Sequence, residues 1–414
     1  MTPTARPEIS EFLASQREAE VAFLTTLVQT PSDNPPGDCA PHAEVTAGLL
    51  EGLGFSVERH PVPPDVVAAH GMVSCVNLVV RRRFGDGPVI ALNAHGDVVP
   101  PGEGWTADPY GAEIRDGWMY GRGAAVSKSD IATYAYALLA LDHAGVDLHG
   151  TAELHITYDE ETGGEIGPQW LLEQGISKPD LAIGAGFSYA VVTAHNGVLH
   201  LEVEVAGRSA HAAKPYTGID ALEAANAILT RLYQWRGGLA GRVSKIPGIG
   251  APQLTVGLIS GGINTNVVPD KVVFRLDRRV VPDEIFADAE QEIRDLILAA
   301  ARDFPDAKVS VRKIMQATPL TPLPGGEDLT ELLCAHASRV MGEKIVPSGV
   351  PLYTDARHYT AAGIPIVLFG AGPRSIEEAN AHRADERLPL AELFLATEVI
   401  ALTLADVLAG SAAP

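Results

Sequence analysis

The chain has 414 residues, 46% of them hydrophobic and 20% charged, with mean hydropathy +0.09; it is long for a single core, so two domains are expected. A formal net charge of −21 excludes nucleic acid and anionic membrane as fitting partners, because phosphate recognition needs a positive surface. No apolar run approaches the ~18 residues of a membrane span, and Met1 to Glu20, already rich in Glu, predicts no secretory leader. Cys39, Cys75 and Cys334 are far apart and form no paired motif, which excludes a disulfide framework and points to a reduced cytoplasm.

In chain order, apolar positions among charges predict a helix from Ile9 to Gln29, stopped at Thr30-Pro31-Ser32 and followed by the loop Asn34-Pro35-Pro36-Gly37. A second helix spans about Pro41 to Leu53. Strands follow at Ser56–Val62, Ser74–Arg82 and Val89–Ala94, the last two joined by a turn at Gly85-Asp86-Gly87. Val89-Ile90-Ala91-Leu92 is apolar throughout, as a central parallel strand should be. A hairpin-like region covers Ala112 to Gly121, a helix runs from Ser127, a candidate N-cap, to His143, and Ala152–Thr157 alternates as a strand. Helix Pro168–Gln174 and strand Leu181–Gly184 complete a β–α alternation that predicts a mostly parallel sheet flanked by helices.

From Leu199 the pattern changes. Strict alternation over Leu199–Val205, a helix at 219–235, strands at 253–259 and 271–278, a helix at 283–302 and a strand at 308–313 give the β-α-β-β-α-β order of a ferredoxin-like layer. Helix Leu329–Met341, strand Pro365–Phe369 and helix Leu390–Leu408 return to the first style. The expected architecture is an α/β domain, residues 1–198 and 314–414, interrupted by a smaller α+β domain, residues 199–313.

Two stretches carry chemistry. Asp159-Glu160-Glu161-Thr162-Gly163-Gly164 puts carboxylates where a strand ends, beside a Gly pair that permits a sharp turn; ligands of open α/β sheets collect at such ends. His95-Gly96-Asp97 follows the buried strand and suits a metal ligand whose imidazole is oriented by a carboxylate two residues on. Read alone, the first could be a solvated turn and the second a structural histidine.

Together with Gly121-Arg122-Gly123 and the inserted layer, these motifs resemble the co-catalytic zinc family of acetylornithine deacetylase, succinyl-diaminopimelate desuccinylase, aminoacylase and glutamate carboxypeptidase, with support from Pro31-Ser32 to His382. The resemblance implies His95, Glu161 and His382 as metal ligands, Asp97 as the partner orienting His95, and Glu160 as the general base. It implies that His211, in Gly207-Arg208-Ser209-Ala210-His211, polarises the scissile carbonyl, with Asn266, Arg279, Arg357 and Gly370 contacting substrate. It further implies a divalent metal, zinc first with manganese or cobalt as alternatives, a homodimer formed through the inserted domain, and domain closure to bring His211 in.

Two positions depart from the family pattern. Val126 stands where an aspartate bridges two metals, and Ala185 stands where a glutamate binds one of them; neither offers a lone pair. Three explanations remain open: Asp130, four residues after Val126 and about one helical turn away, substitutes; the site holds one ion through His95, Glu161 and His382; or the metal is lost. The expected activity is metal-dependent hydrolysis of an amide C–N bond in a small carboxylate-bearing substrate, such as an N-acyl amino acid or dipeptide. A hydrolytic deaminase and a non-catalytic small-molecule binding protein are the alternatives. Lys128 and Lys214 have no derivable role, and one of Arg278 and Arg279 is expected to be an ordinary strand-end charge.

Overall fold

The computed structural model describes residues 3–145 and 147–409; the ends of the expected first domain, residues 1–2 and 410–414, and Val146 within it lie outside the described residues. The chain divides into two compact units, the first Met1–Thr193, Pro322–Pro347 and Thr354–Pro414, the second Ala194–Thr321 and Ser348–Tyr353.

The first unit is built on a sheet ordered Val57–Pro61, Val76–Arg83, Thr151–Thr157, Val89–His95, Leu181–Gly184, Ile366–Leu368 and then the strand beginning at Val191. The four strands from Thr151–Thr157 to Ile366–Leu368 are parallel, and antiparallel pairs flank them. Val89–His95 lies among these four, and its six residues from Ile90 to His95 are buried, as its continuous apolar run requires. The turn at Gly85-Asp86-Gly87 does not join sheet neighbours: Thr151–Thr157 inserts between the two strands it connects. Helices Pro7–Gln29, Lys128–Ala140, Glu327–Met341 and Leu390–Leu408 pack on one another. Lys128–Ala140 has twelve buried residues, from Lys128 to Leu138 and Ala140, so it is a core helix rather than an amphipathic one. Ser127 precedes it but does not cap it; its hydroxyl is buried without a hydrogen-bond partner.

The second unit is a four-stranded antiparallel sheet ordered Gln253–Gly261, Lys271–Val280, Gly197–Ala206, Lys308–Ala317. Leu199, Leu201, Val203 and Val205 alternate inward and form a core with Phe274, Leu276, Ile228, Leu232, Ile293 and Ile297 from neighbouring strand and helices. Helix Ala221–Arg236 starts at Asp220, whose Oδ1 accepts from Leu222 N at 2.8 Å and Glu223 N at 3.1 Å. This is the ferredoxin-like order expected from the alternation. Short elements escaped the sequence reading, among them helices Pro64–Ala69 and Ala356–Ala361 and the strand Arg387–Pro389.

Candidate active site

At the carboxyl ends of Val89–His95 and Thr151–Thr157, the pairing of His95 with Thr157 brings the two chemical stretches side by side. Gly96 is required where they meet: a Cβ there would lie 2.4 Å from Cε1 of Tyr158. Asp97 is fully buried and organises what surrounds it. Its Oδ1 accepts from Glu160 N at 3.3 Å and its Oδ2 from Glu161 N at 3.2 Å and Asn34 Nδ2 at 3.0 Å. His95 Nδ1 is 2.9 Å from the Asp97 carbonyl and 3.4 Å from its Oδ1, which leaves Nε2 to face the site. Nε2 lies 4.0 Å from Glu160 Oε2.

The three consecutive acids divide their work. Asp159 folds the turn: its Oδ2 accepts from Ile166 N at 2.7 Å and its carbonyl from Gly164 N at 2.8 Å. Gly163 and Gly164 take φ of 126° and 71°, and a Cβ on Gly164 would meet Asp355 Oδ1 at 2.1 Å. Among the described residues, His95, Glu160 and Glu161 form a group whose ligand atoms all lie within 4.8 Å of one another. His382 joins from the C-terminal segment, with Nε2 3.3 Å from Glu161 Oε1. It has φ of 60°, a backbone strain of the kind held at functional sites.

Arg122 of the Gly-Arg-Gly motif ties that segment down. Both Arg122 and Glu386 are about 1% exposed; Arg122 Nη1 pairs with Glu386 Oε2, and Arg122 Nη2 donates to the Arg383 carbonyl at 3.2 Å. Glu386 Oε1 accepts the N–H groups of Ala125 at 3.1 Å and Val126 at 3.0 Å.

Electrostatics favour a cation in this group. Burial works to lower the His95 pKa, yet the hydrogen bond to Asp97 and the charges of Glu160, Asp97 and Glu161 raise it well above the ordinary value. Glu160 is pushed up to about 7 by burial, with His95 opposing and Glu161 and Asp97 reinforcing. The Glu161 carboxylate raises His382 against burial. Glu161 Oε1 is buried and faces His382 Nε2 at 3.3 Å without a well-formed hydrogen bond, a pair of donors that a divalent ion could take as ligands. Two imidazoles and one carboxylate with borderline-soft donors fit such an ion. A second ion is not supported in the same way. Val126 and Ala185 pack against the apolar core.

Asp130 does not join the ligand group. It is an acid of the first turn of its helix, its Oδ1 accepts from Ala371 N at 2.8 Å, and burial raises its pKa to about 8. Its place explains Gly370, where a Cβ would lie 1.8 Å from Asp130 Oδ1. Arg357, expected to contact substrate, is 7% exposed and donates through Nη2 to the Gly163 carbonyl, so it braces the Glu160–Glu161 turn. His358 Nε2 reaches the same carbonyl at 2.9 Å. The second unit holds His211, Asn266 and Arg279. Ala212 N donates to the Asn266 carbonyl at 3.0 Å and Val268 N to the Ala210 carbonyl at 2.8 Å. His211 is exposed, and its Nδ1 accepts from Ala213 N at 3.0 Å, which fixes the neutral ring as a donor at Nε2. Arg279 pairs with Asp277 at 3.0 Å. Arg278 is fully buried on Glu284 and is the structural member of the arginine pair. Asn34 and Glu386 were given no role by sequence; Asn34 sat in a Pro-Pro-Gly loop whose contact with Asp97 no local pattern announces.

The description "Peptidase family M20/M25/M40" matches residues 91–406. Acetylornithine deacetylase of Proteus mirabilis is 31% identical over 354 residues, 83% of this chain and 84% of its own. Succinyl-diaminopimelate desuccinylase of Acidiphilium cryptum is 31% identical over 400 residues, 92% of this chain and 96% of its own. The Bacillus subtilis YXEP protein, described as a dinuclear metal-binding peptidase of the M20 family, superposes with a TM-score of 0.67 at 17% identity, covering 95% of this chain and 99% of its own. This last likeness is one of fold.

Proposed function

This chain belongs to peptidase family M20/M25/M40 and is a hydrolase acting on C–N bonds, and on that premise we propose that it cleaves the amide of a small carboxylate-bearing N-acyl amino acid or dipeptide with one divalent ion, zinc first, held by His95, Glu161 and His382. The observation that carries the reading is the convergence of ligand atoms: Glu161 Oε1 faces His382 Nε2 at 3.3 Å and Glu161 lies within ligand reach of His95 and Glu160, while Val126 and Ala185 supply no donor. When bound, the ion supplies a Lewis acid that polarises the carbonyl and acidifies water. Glu160, with its pKa near 7, accepts the water proton and passes it to the departing nitrogen. Asp97 holds His95 in one tautomer and fixes the Glu160–Glu161 backbone. His211 Nε2–H and Asn266 are assigned to the developing oxyanion, and Arg279 to the substrate carboxylate.

The same reading assigns a homodimer contact to the second unit. Its edge strand Gln253–Gly261 exposes Leu258 by 61% and Ile259 by 55%, an unpaired edge with apolar cover suited to a second copy. Sedimentation equilibrium of the wild type and of Leu258→Asp/Ile259→Lys tests it; a monomeric wild type overturns it.

Elemental analysis of protein purified without chelators tests the metal assignment. About one equivalent, lost in His382→Ala, supports the single-ion site. Two equivalents would show that other groups replace the missing ligands. None, even after incubation with zinc, manganese or cobalt, would overturn the metallohydrolase reading.

A further inference from the structure

Resting on the hydrolase reading above, we infer that Asp130 is a positioning residue of that site: it clamps the segments following strands Leu181–Gly184 and Ile366–Leu368 to the start of helix Lys128–Ala140, with or without metal. Asp130 is about 1% exposed. Besides the 2.8 Å bond from Ala371 N to its Oδ1, its carboxyl takes a second backbone hydrogen bond, from Gly186. The same helix holds the 369–371 segment at two further points. Tyr134, one turn on, donates its hydroxyl to the Phe369 carbonyl at 2.8 Å, and Ser129 Oγ donates to the Ala371 carbonyl at 3.4 Å. Ser188 ties the two segments to each other: its Oγ donates to the Gly370 carbonyl at 2.9 Å and accepts from Gly372 N at 3.2 Å. Phe369 N donates to the Gly184 carbonyl at 3.0 Å. The approach is close enough that a Cβ on Gly186 would lie 3.0 Å from Phe369 N.

The clamped segments stand at the carboxyl ends of the strand beside that of His95 and of the strand after it, where ligands of open sheets collect. Gly184 pairs with Asn93, and Ala185 N donates at 2.9 Å to the carbonyl of Asn93, two residues before His95. The charge of His95 is felt at Asp130, where it opposes the effect of burial. A run such as Gly370-Ala371-Gly372 loses much conformational freedom on ordering. The Ala185 side chain offers no donor through which an ion could fix its own segment, so the ordering falls to hydrogen bonds with Asp130, Ser129, Tyr134 and Ser188. A buried carboxyl is costly unless hydrogen-bonded, and the two backbone partners meet that requirement. Substrate then meets segments already in shape, which preserves the alignment that hydrolysis needs.

Hydrogen–deuterium exchange of backbone amides, read by mass spectrometry on fragments covering 184–188 and 369–372, tests the clamp. The wild type, Asp130→Asn and Asp130→Ala are compared, each metal-loaded and chelated. Equal protection is expected in loaded and chelated wild type. Asp130→Ala should exchange faster in those two fragments by about 5- to 150-fold, the cost of stranding a buried N–H, while chelator competition gives an unchanged metal affinity. Asp130→Asn keeps an oxygen for Ala371 N and should restore most of the protection. With N-acetylalanine, N-acetylglutamate and N-acetyllysine as probes, kcat/KM should fall about 10²-fold in Asp130→Ala and recover in Asp130→Asn. Protection lost from the chelated wild type assigns the ordering to the metal and overturns the clamp. So does faster exchange spread evenly over the chain in Asp130→Ala, which makes Asp130 a stability residue alone. If Asp130→Ala does not fold, the chelated wild type and Asp130→Asn still decide. No hydrolysis of any probe by any of the proteins, with the exchange pattern intact, counts against the hydrolase reading and keeps the clamp.

Discussion

Asp97 Oδ2 accepts the backbone N–H of Glu161 at 3.2 Å, so one buried carboxylate sets both the ring of His95 and the main chain of Glu161, both proposed above as ligands. Asp97→Asn keeps the shape but loses the charge and turns one acceptor into a donor facing Asn34 Nδ2 or a backbone N–H. Outer partners of this kind are worth about 10–100-fold in metal affinity, and each stranded buried donor costs about 1–3 kcal/mol. The expected result is weaker metal binding by that factor and a lowered melting temperature. Competition against a chromogenic chelator and thermal unfolding measure the two; an unchanged affinity would remove Asp97 from its orienting role.

Glu160 titrates near 7 because burial outweighs the attraction of His95. A divalent cation beside it favours the ionised form, so the loaded enzyme should show a kcat/KM that rises with pH through one group below 7. Glu160→Gln should lower kcat by about 10²–10⁴ and abolish that limb. A pH–rate profile of both proteins decides; a limb that survives in the Gln variant belongs to another group.

The neighbourhood of the two chemical stretches was legible, because strands ending in His95 and in the 159–161 acids bring those groups together by position alone. The fold was legible wherever an element carried enough apolar residues to show its period, as in Leu199–Val205 and Leu390–Leu408. Burial by distant partners was not. Asp130 looked like a spare ligand one turn from Val126, and only the approach of Ala371 N shows its carboxylate to be engaged. Arg357 was expected to contact substrate, and the structure shows the Gly163 carbonyl taking its Nη2. The Gly85 turn looked like a hairpin because sequence does not reveal that Thr151–Thr157 enters between its strands.

Glu20 offers a pH test remote from the metal. It is about 1% exposed, its Oε1 accepts from Thr397 Oγ1 at 2.5 Å, and burial raises its pKa from 4.5 to about 8. The folded chain thus holds this proton more tightly than the unfolded chain. Its contribution is most favourable below about 4.5 and is lost as pH rises towards 8, with a slope of at most about 1.4 kcal/mol per pH unit. Glu20→Gln keeps an acceptor for Thr397 and removes the ionisation. Denaturant unfolding at pH 5 and pH 8 should show the variant gaining on the wild type at the higher pH. Parallel losses in both proteins would mean that Glu20 does not carry the slope.

The buried Arg122–Glu386 pair lets stability and ligand placement be separated. Burial raises the Glu386 pKa and Arg122 opposes that rise. Arg122→Met therefore leaves a carboxyl that takes up a proton, and the variant should lose more stability at pH 8 than at pH 6. Glu386→Ala is worse, because the guanidinium cannot neutralise itself; about 3–5 kcal/mol is expected. Arg122→Met/Glu386→Gln removes both charges while Gln Oε1 can still accept from Ala125 and Val126, so unfolding should move back towards the wild type. Metal affinity should not follow, because the Arg383 carbonyl beside His382 has lost its donor. Denaturant unfolding and chelator competition on all three variants supply the comparison. If affinity recovers together with stability in the double variant, Arg122 acts on the metal site through folding alone.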